Sequence, residues 1–393
     1  MSAHRACVLL ATLAFVDPIL GRFVFTPILP LMRADYGLSI VAAGWLAAAN
    51  HLGYLAGAVT AARIPLSERT ALRAGMLVVT ASFAPMALPL TVEAWFVTRF
   101  VAGVGAAWVF VHAAAWGLRH ALAADRPEWS GWLFVGAGLT LIVSGVICAL
   151  WTLGGGHAAG AWLANGTILV AILAVVWSRA GDAGVSGAAP SVSPTEAAAA
   201  GGDLWRMVLA YGTAGFGYVT AATFLPVLAQ AVLGTDSGYV WFWPMFGLAA
   251  LASMLIVMRV SGRVDDTAAF RFGIALMAVG NLAMAWLDGS WALLFGTLAV
   301  GGTFMAVTLL GLREVRRRVP DAATRAIGRM TIAWALGQCA GPVVSAYLAG
   351  ADGRFTAALA LTGVALMAAA AIVPRARPHA PANEPDHQRG PAR

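Results

Sequence analysis

The stretch Phe15-Val16-Asp17-Pro18-Ile19-Leu20-Gly21-Arg22-Phe23-Val24-Phe25-Thr26-Pro27-Ile28-Leu29-Pro30 lies inside an apolar run from about Ala6 to Met32. A run of that length can cross a bilayer, which takes about 20 residues. Yet it holds one carboxylate, one guanidinium, one glycine and three prolines. A charge near the middle of a spanning helix costs about 2.5–3.5 kcal/mol on insertion scales. At ~1.5 Å per residue, Asp17 sits about 15 Å from the start of the run, near the midplane of a ~30 Å core, and Arg22 about 8 Å further along. Charges at such depth face a bundle interior or a watery cavity. The prolines remove backbone donors, so a kinked helix is expected. A kinked, charged first helix points to a pathway rather than an anchor.

Composition agrees. The chain is 60% hydrophobic and 11% charged, with mean hydropathy +0.79. A soluble globule of 393 residues cannot hide that much apolar surface, so an all-α, polytopic membrane protein is expected. Twelve spanning segments are predicted. The first six cover roughly 6–32, 39–62, 71–91, 94–117, 130–151 and 158–178. The other six cover roughly 204–233, 238–260, 268–287, 291–312, 326–350 and 354–373. The stretch 179–203 is rich in Ala, Gly, Ser and Pro and reads as a flexible linker. The Pro/Ala/Arg-rich tail 374–393 reads as disordered. The domain expectation is thus two six-helix bundles, 1–178 and 204–373.

All 25 basic residues other than histidine are arginine. Arg5, Arg63, Arg69, Arg73, Arg119, Arg126, Arg179, Arg206, Arg259, Arg263, Arg271, the cluster Arg313 to Arg318, Arg325, Arg375 and Arg377 fall on one side of the predicted spans. The other side offers Arg33 and Arg354. Positive residues stay cytoplasmic, so both termini and the linker are expected in the cytoplasm, with the protein in the cell inner membrane. The two halves also echo each other. Gly21, Pro30 and Trp45 recur as Gly217, Pro226 and Trp241 at one constant offset. Duplicated bundles of this kind place a substrate site near the midplane, between the halves.

Several residues can carry chemistry. In the fourth span Arg99-Phe100-Val101-Ala102-Gly103-Val104-Gly105 sets a second deep guanidinium at nearly the depth of Arg22. Gly103 and Gly105 allow close helix packing. Two guanidiniums at one depth attract an anion, and arginine suits carboxylate or phosphate; the alternative is that they serve as structural pairs. Asp17 and Arg22 are about 140° apart around an ideal helix and need not pair. Asp17, with a pKa open to tuning by burial and charge, and His51 are the proton-carrier candidates; His51 can equally be a hydrogen-bonded residue between helices. Asn50, Tyr218 and Gln338 are the uncharged candidates for solute contact, or else packing glue. Trp95, Trp129, Trp177, Trp205 and Trp291 read as interfacial belt. No phosphate loop, HExxH, GxSxG or CxxC pattern occurs, so no enzyme, cofactor or metal is expected.

These features together resemble the major facilitator superfamily. Arg99-Phe100 with Gly103 and Gly105 is similar to its fourth-segment motif. More narrowly, five stretches resemble the YbfB/YjiJ-type branch. They are Gly21-Arg22-Phe23 with Thr26 to Pro30, Gly44-Trp45-Leu46 with Asn50 to Tyr54, Gly215 to Tyr218, Thr223 to Pro226, and Leu336-Gly337-Gln338 with Gly341-Pro342. The resemblance implies twelve helices in two pseudo-symmetric six-helix halves and secondary transport by alternating access, coupled to protons. The sequence departs from the superfamily where Ala61 stands four residues after Gly57 in place of an acid, and where the fifth span lacks a Gly-Pro pair. The expected partners are a small anionic or amphipathic solute, protons and the lipid bilayer, with no nucleic acid and a monomeric chain. A uniporter of the same fold and a non-transporting membrane sensor remain the competing readings.

Overall fold

The computed structural model describes residues 3–374 apart from 62, 127–128, 130, 180–202, 235–236, 261–262, 320–321 and 350–353. The expected linker lies almost wholly outside the described residues, and so does the tail beyond 374. Among the described residues every regular element is helical. The order is α1 (Ala3–Phe23), α2 (Phe25–Tyr36), α3 (Ile40–Ala61), α4 (Glu68–Met86), α5 (Val92–Ala123), α6 (Gly131–Leu153) and α7 (Ala158–Arg179), then α8 (Leu204–Leu233), α9 (Phe242–Val260), α10 (Asp266–Trp286), α11 (Ser290–Arg318), α12 (Ala323–Tyr347) and α13 (Thr356–Ile372). A 3-10 turn at Ser237–Trp241 leads into α9.

Helices α1 and α2 form one interrupted rod of 34 residues, Ala3–Tyr36, which leaves twelve rods. Eight are both long and apolar enough to cross a membrane. The apolar α13 is shorter, at 17 residues. In α3, α4 and α12 the apolar run is diluted by polar residues such as Asn50 and His51, Arg69 and Arg73, and Arg329 and Gln338. The rods match the predicted spans to within a few residues. The largest difference is at α5 and α11, which each run on to end at Ala123 and Arg318. Their last turns carry Arg119, Arg316 and Arg317, which a helix can present outside the hydrocarbon at no cost.

Side-chain contacts sort the rod ends into two faces. On one, Arg119 pairs with Glu68, Arg73 donates to the Trp177 carbonyl, and Arg271 donates to that of Val373 at 2.7 Å. His4 meets His120 there at 3.0 Å. This arginine face gathers the starts of α1, α4, α8 and α10 and the ends of α5, α7, α11 and α13. On the far face Asp35 accepts from the Ala158 amide at 2.6 Å, Tyr36 donates to the Ala87 carbonyl at 3.3 Å, and Trp45 donates to the Tyr347 hydroxyl at 3.4 Å.

Small residues let the rods touch at backbone distance. A Cβ on Gly53 would stand 1.9 Å from the Phe100 carbonyl oxygen, and one on Gly57 2.5 Å from that of Val104, so α3 and α5 meet with nothing between them. Gly103 lies against the Asn50 carbonyl of α3 and Gly105 against that of Gly75 in α4. Close approach of this kind replaces the hydrophobic effect, which lipid does not supply between spanning helices.

Trp95 departs from the belt expectation. It is buried, its indole N–H donates to the carbonyls of Pro85 and Leu88 at 3.3 and 3.2 Å, and its ring packs on Tyr36. Those two carbonyls also accept the backbone N–H groups of Leu88 and Leu90, so the indole adds a second donor to the short α4–α5 turn and satisfies its own N–H inside the protein rather than at lipid. Trp177, Trp205 and Trp291 are exposed.

At the arginine face Glu314 is fully buried and Arg318 nearly so, and they pair at 2.5 Å within α11. Glu314 also pairs with Arg317 at 2.7 Å, and Arg318 also reaches Asp203 at 3.4 Å, so losing the buried carboxylate strips two guanidiniums of their nearest anion, whereas a half-exposed surface pair contributes about 1 kcal/mol or less. Glu314→Gln should therefore lower the melting temperature of the detergent-solubilised protein clearly more than Arg119→Gln. Equal melting temperatures for the two variants would remove this account of the α11 end.

Candidate functional site

The site begins where the first rod breaks. The last carbonyls of a helix have no intrahelical partner. Past the end of α1, Pro27 adds to the break because it has no N–H and its ring crowds the turn before it. Arg99, on α5, fills the gap. Its Nη1 donates to the Gly21 carbonyl at 2.9 Å and its Nη2 to that of Arg22 at 3.1 Å. Its Nε reaches the Leu46 carbonyl of α3 at 3.4 Å. The guanidinium lies over the Phe25 ring, 5.0 Å from its centroid. A cation at a helix C-terminus is favoured by the helix dipole, so three carbonyls and a helix end balance a side chain that is only 3% exposed. Asn50 reinforces the arrangement, its Nδ2 donating to the Arg99 carbonyl at 3.1 Å.

Arg22 projects from the same break into different company. Its Nη2 meets His51 Nδ1 on α3 at 3.2 Å and donates to Gln338 Oε1 on α12 at 3.3 Å. A guanidinium only donates, so Nδ1 accepts and the His51 ring proton lies on Nε2. The Tyr54 ring covers the guanidinium at 4.2 Å. Gln338 passes its other end on, donating Nε2 to the Tyr218 hydroxyl of α8. Helical spacing explains why these groups converge: His51 and Tyr54 are three apart on α3, and Trp334 and Gln338 four apart on α12. The Nε of Arg22 has no partner, and among the described residues no carboxylate pairs with it. The group is half-buried, whereas Arg99 is sealed.

An aromatic band surrounds this polar cluster. Tyr218 stacks on Trp334 and Phe304, with centroids 5.3 and 4.9 Å apart. Phe304 stacks on Phe246 at 5.4 Å, Phe246 on Trp243 at 5.2 Å, and Trp243 faces Phe23, the neighbour of Arg22, at 6.5 Å. The band runs from α1 through α9, α11 and α8 to α12. Tyr218, Trp243 and Phe246 are almost fully buried, so the band is a stack of rings packed on one another beside the cation.

Of the residues expected to touch solute, Arg22, Tyr218 and Gln338 come together, with His51 among them. Arg99 and Asn50 do not join them: the Arg99 nitrogens bind the carbonyls of Gly21, Arg22 and Leu46, and Asn50 Nδ2 binds that of Arg99, while Asn50 Oδ1 has no partner. Asp17 stands apart as well. It is fully buried on α1, one oxygen accepting from the Thr80 hydroxyl of α4 at 3.3 Å and the other without a partner. No cation pairs with Asp17 among the described residues. Tyr54, Phe246 and Phe304 are not among the sequence candidates, whereas Trp243 and Trp334, deep in their spans, read from sequence as packing or cavity lining, and both join the ring stack. Tyr54 and Trp334 were within reach of the i,i+3 and i,i+4 rule, but the Phe246 and Phe304 rings carry no local signal at all.

The chain belongs to the family described as the uncharacterised MFS-type transporter YbfB, whose model matches residues 19–374. It is therefore a multi-pass membrane protein of a transporter superfamily. No curated protein matches it. Among solved structures it is similar to the nucleoside transporter NupG, with a TM-score of 0.71 at 12% identity over 94% of this chain and 99% of that one. An aspartate-to-alanine variant of NupG gives the same TM-score and identity, over 92% and 98%. At such identity the likeness is one of fold.

The two deep arginines should answer differently to removal of charge. Arg99→Gln strips buried carbonyls of their donors, at about 1–3 kcal/mol for each group left unsatisfied, and should sharply lower melting temperature and folded yield. Arg22→Gln removes a cation with no anionic partner and should leave the melting temperature unchanged or raised. Thermal unfolding of both purified variants decides it; a reversed order would refute the division of roles.

Proposed function

We propose that the protein is a secondary active transporter that carries a small anionic organic solute by alternating access, coupled to protons. The observation that carries this reading is Arg22, a half-buried guanidinium at the middle of the first rod with no carboxylate partner, held by His51 and Gln338 from helices on opposite sides of the chain's midpoint. A carboxylate or phosphate on the solute would supply the missing counter-charge. Asn50 and Arg99 act on this site through the α1–α2 break. Asp17 is the proposed proton carrier: buried with only a hydroxyl for company, it has a proton as its ready counter-charge. His51, on the Arg22 guanidinium, is the second proposed proton carrier.

Alternating access requires two bodies, and we assign them to 1–178 and 204–373, joined by 179–203 and followed by the tail 374–393. Support comes from the pairing of helices. If α1–α2 is matched with α8, and α3 to α7 with α9 to α13 in order, the main packing pairs map onto one another: α3 with α5 and α9 with α11, α4 with α5 and α10 with α11, α4 with α7 and α10 with α13. The bridges map too, α3 with α12 becoming α9 with α6. The arginine face is assigned to the cytoplasm of the inner membrane by the positive-inside rule.

In this conformation the far face is shut by small residues. A Cβ on Gly44 would stand 2.7 Å from the Pro342 carbonyl and from Ala346 of α12, and one on Gly145 2.9 Å from Pro244 of α9. The proline missing from the fifth span is thus supplied by the helix packed against it. Gly44→Leu should hold α3 and α12 apart on the far face, abolishing transport while the protein still folds and reaches the membrane. Reactivity of a cysteine introduced near Tyr347 towards an impermeant thiol reagent should rise in that variant; unchanged reactivity with unchanged flux counts against the gate.

Transport in proteoliposomes tests the mechanism directly. Arg22→Ala should abolish uptake of any solute the wild type carries. Asp17→Asn should abolish accumulation driven by a pH gradient while solute exchange persists. Uptake that ignores an imposed pH gradient in the wild type would instead make the protein a uniporter, and solute binding without flux would make it a sensor.

A further inference from the structure

A lateral groove of about 740 Å³ opens between α8, α12 and α13, away from the Arg22 cluster. Its walls are apolar, with Val208 and Phe216 from α8, Leu336 and Ala340 from α12 and Leu361 from α13, and its charged lining residue is Arg329. Arg329 lies near the start of α12, on the arginine-face side, and makes no hydrogen bond or ion pair with the described residues. Trp205, 57% exposed, also lines the groove, and the Arg206 guanidinium sits 5.7 Å from its ring. From Arg329 to Ala340 the groove follows α12 for about 17 Å at 1.5 Å per residue, close to the roughly 15 Å depth of one hydrocarbon leaflet. The dimensions and the charge therefore agree: a cation and an interfacial tryptophan at headgroup level, then an apolar channel one leaflet deep.

A second lateral groove supplies the contrast. It lies between α1 and α6, is about 260 Å³, and is lined by residues such as Leu13, Val16 and Leu139 with no charged side chain. Ordinary lipid tails suit both grooves, but only the first offers a charge to a headgroup.

We propose that the α8–α12–α13 groove binds one anionic phospholipid of the arginine-face leaflet, its phosphate on Arg329 and Arg206 beside Trp205 and one acyl chain running towards Ala340. Cations near a membrane surface attract anionic lipid with about 1 kcal/mol each, and a guanidinium suits a phosphate in particular. The occupant would pack against α8 and α12, which carry Tyr218 and Gln338. This assignment is independent of the transport reading, since it predicts retention of lipid whether or not solute moves.

The test is native mass spectrometry of the full chain in detergent, with phosphatidylglycerol and phosphatidylcholine supplied in equal amounts. The wild type should retain phosphatidylglycerol at least about fivefold better, the ratio that one such cation supplies. Arg329→Gln should lower the ratio about fivefold, and Arg329→Glu, which sets a carboxylate beside Arg206, should abolish the preference. Ala340→Phe, which fills the channel without disturbing a buried contact, should reduce retention of both lipids. Equal retention of the two lipids by the wild type, or a preference that survives Arg329→Glu, would overturn the proposal. So would displacement of phosphatidylglycerol by an equal amount of palmitate, which would make the occupant a single-chain acid.

Discussion

Arg99 holding the carbonyls of Gly21 and Arg22 is the contact on which the centre of this protein depends. A spanning helix that breaks in mid-membrane exposes backbone groups that hydrocarbon cannot satisfy. The break at Val24 is possible because another helix brings a cation with several donors to that spot. Once the break is held, the first rod can turn Arg22 inward while its neighbour Phe23 faces Trp243. Asn50 and the glycine contacts of α3 and α5 hold Arg99 itself at the required height. A lysine could not span three carbonyls in this way, because its ammonium is a single compact point.

Two kinds of buried charge follow from this, and they have different physical logic. Arg99, and Glu314 with Arg318, are compensated within the protein, by carbonyl dipoles in one case and by an ion pair in the other. They hold the structure. Arg22 and Asp17 have only neutral partners among the described residues. Membrane proteins tolerate such groups at a cost, and the transport reading supplies the reason: the missing counter-charges are the solute and the proton. Under that reading the tyrosines and the amide around Arg22 orient it without neutralising it, which keeps its charge available.

Under the transport reading some packed surfaces must part and others must stay together. Gly44 lies against Pro342 and Ala346, and Gly145 against Trp243 and Pro244. By contrast Gly53, Gly57 and Gly103 bring α3 and α5 into backbone contact over several turns.

Much of this could be read from the chain alone. Apolar runs of about 20 residues, one-sided arginines and the prolines of the first span determined the helices, their alternation and the interruption of the first rod, because hydrocarbon imposes these constraints locally on every segment. The depth of Arg22 and Arg99 was equally legible, since rise per residue converts position into depth. Their division of labour was not: two arginines at one depth look alike until it is known that one faces the open carbonyls of a broken helix and the other faces His51 and Gln338. The ring ladder of Trp243, Phe246 and Phe304 and the meeting of α3 with α12 were likewise out of reach. Such contacts join different helices, and only the packing of whole rods decides which face of each helix meets which neighbour.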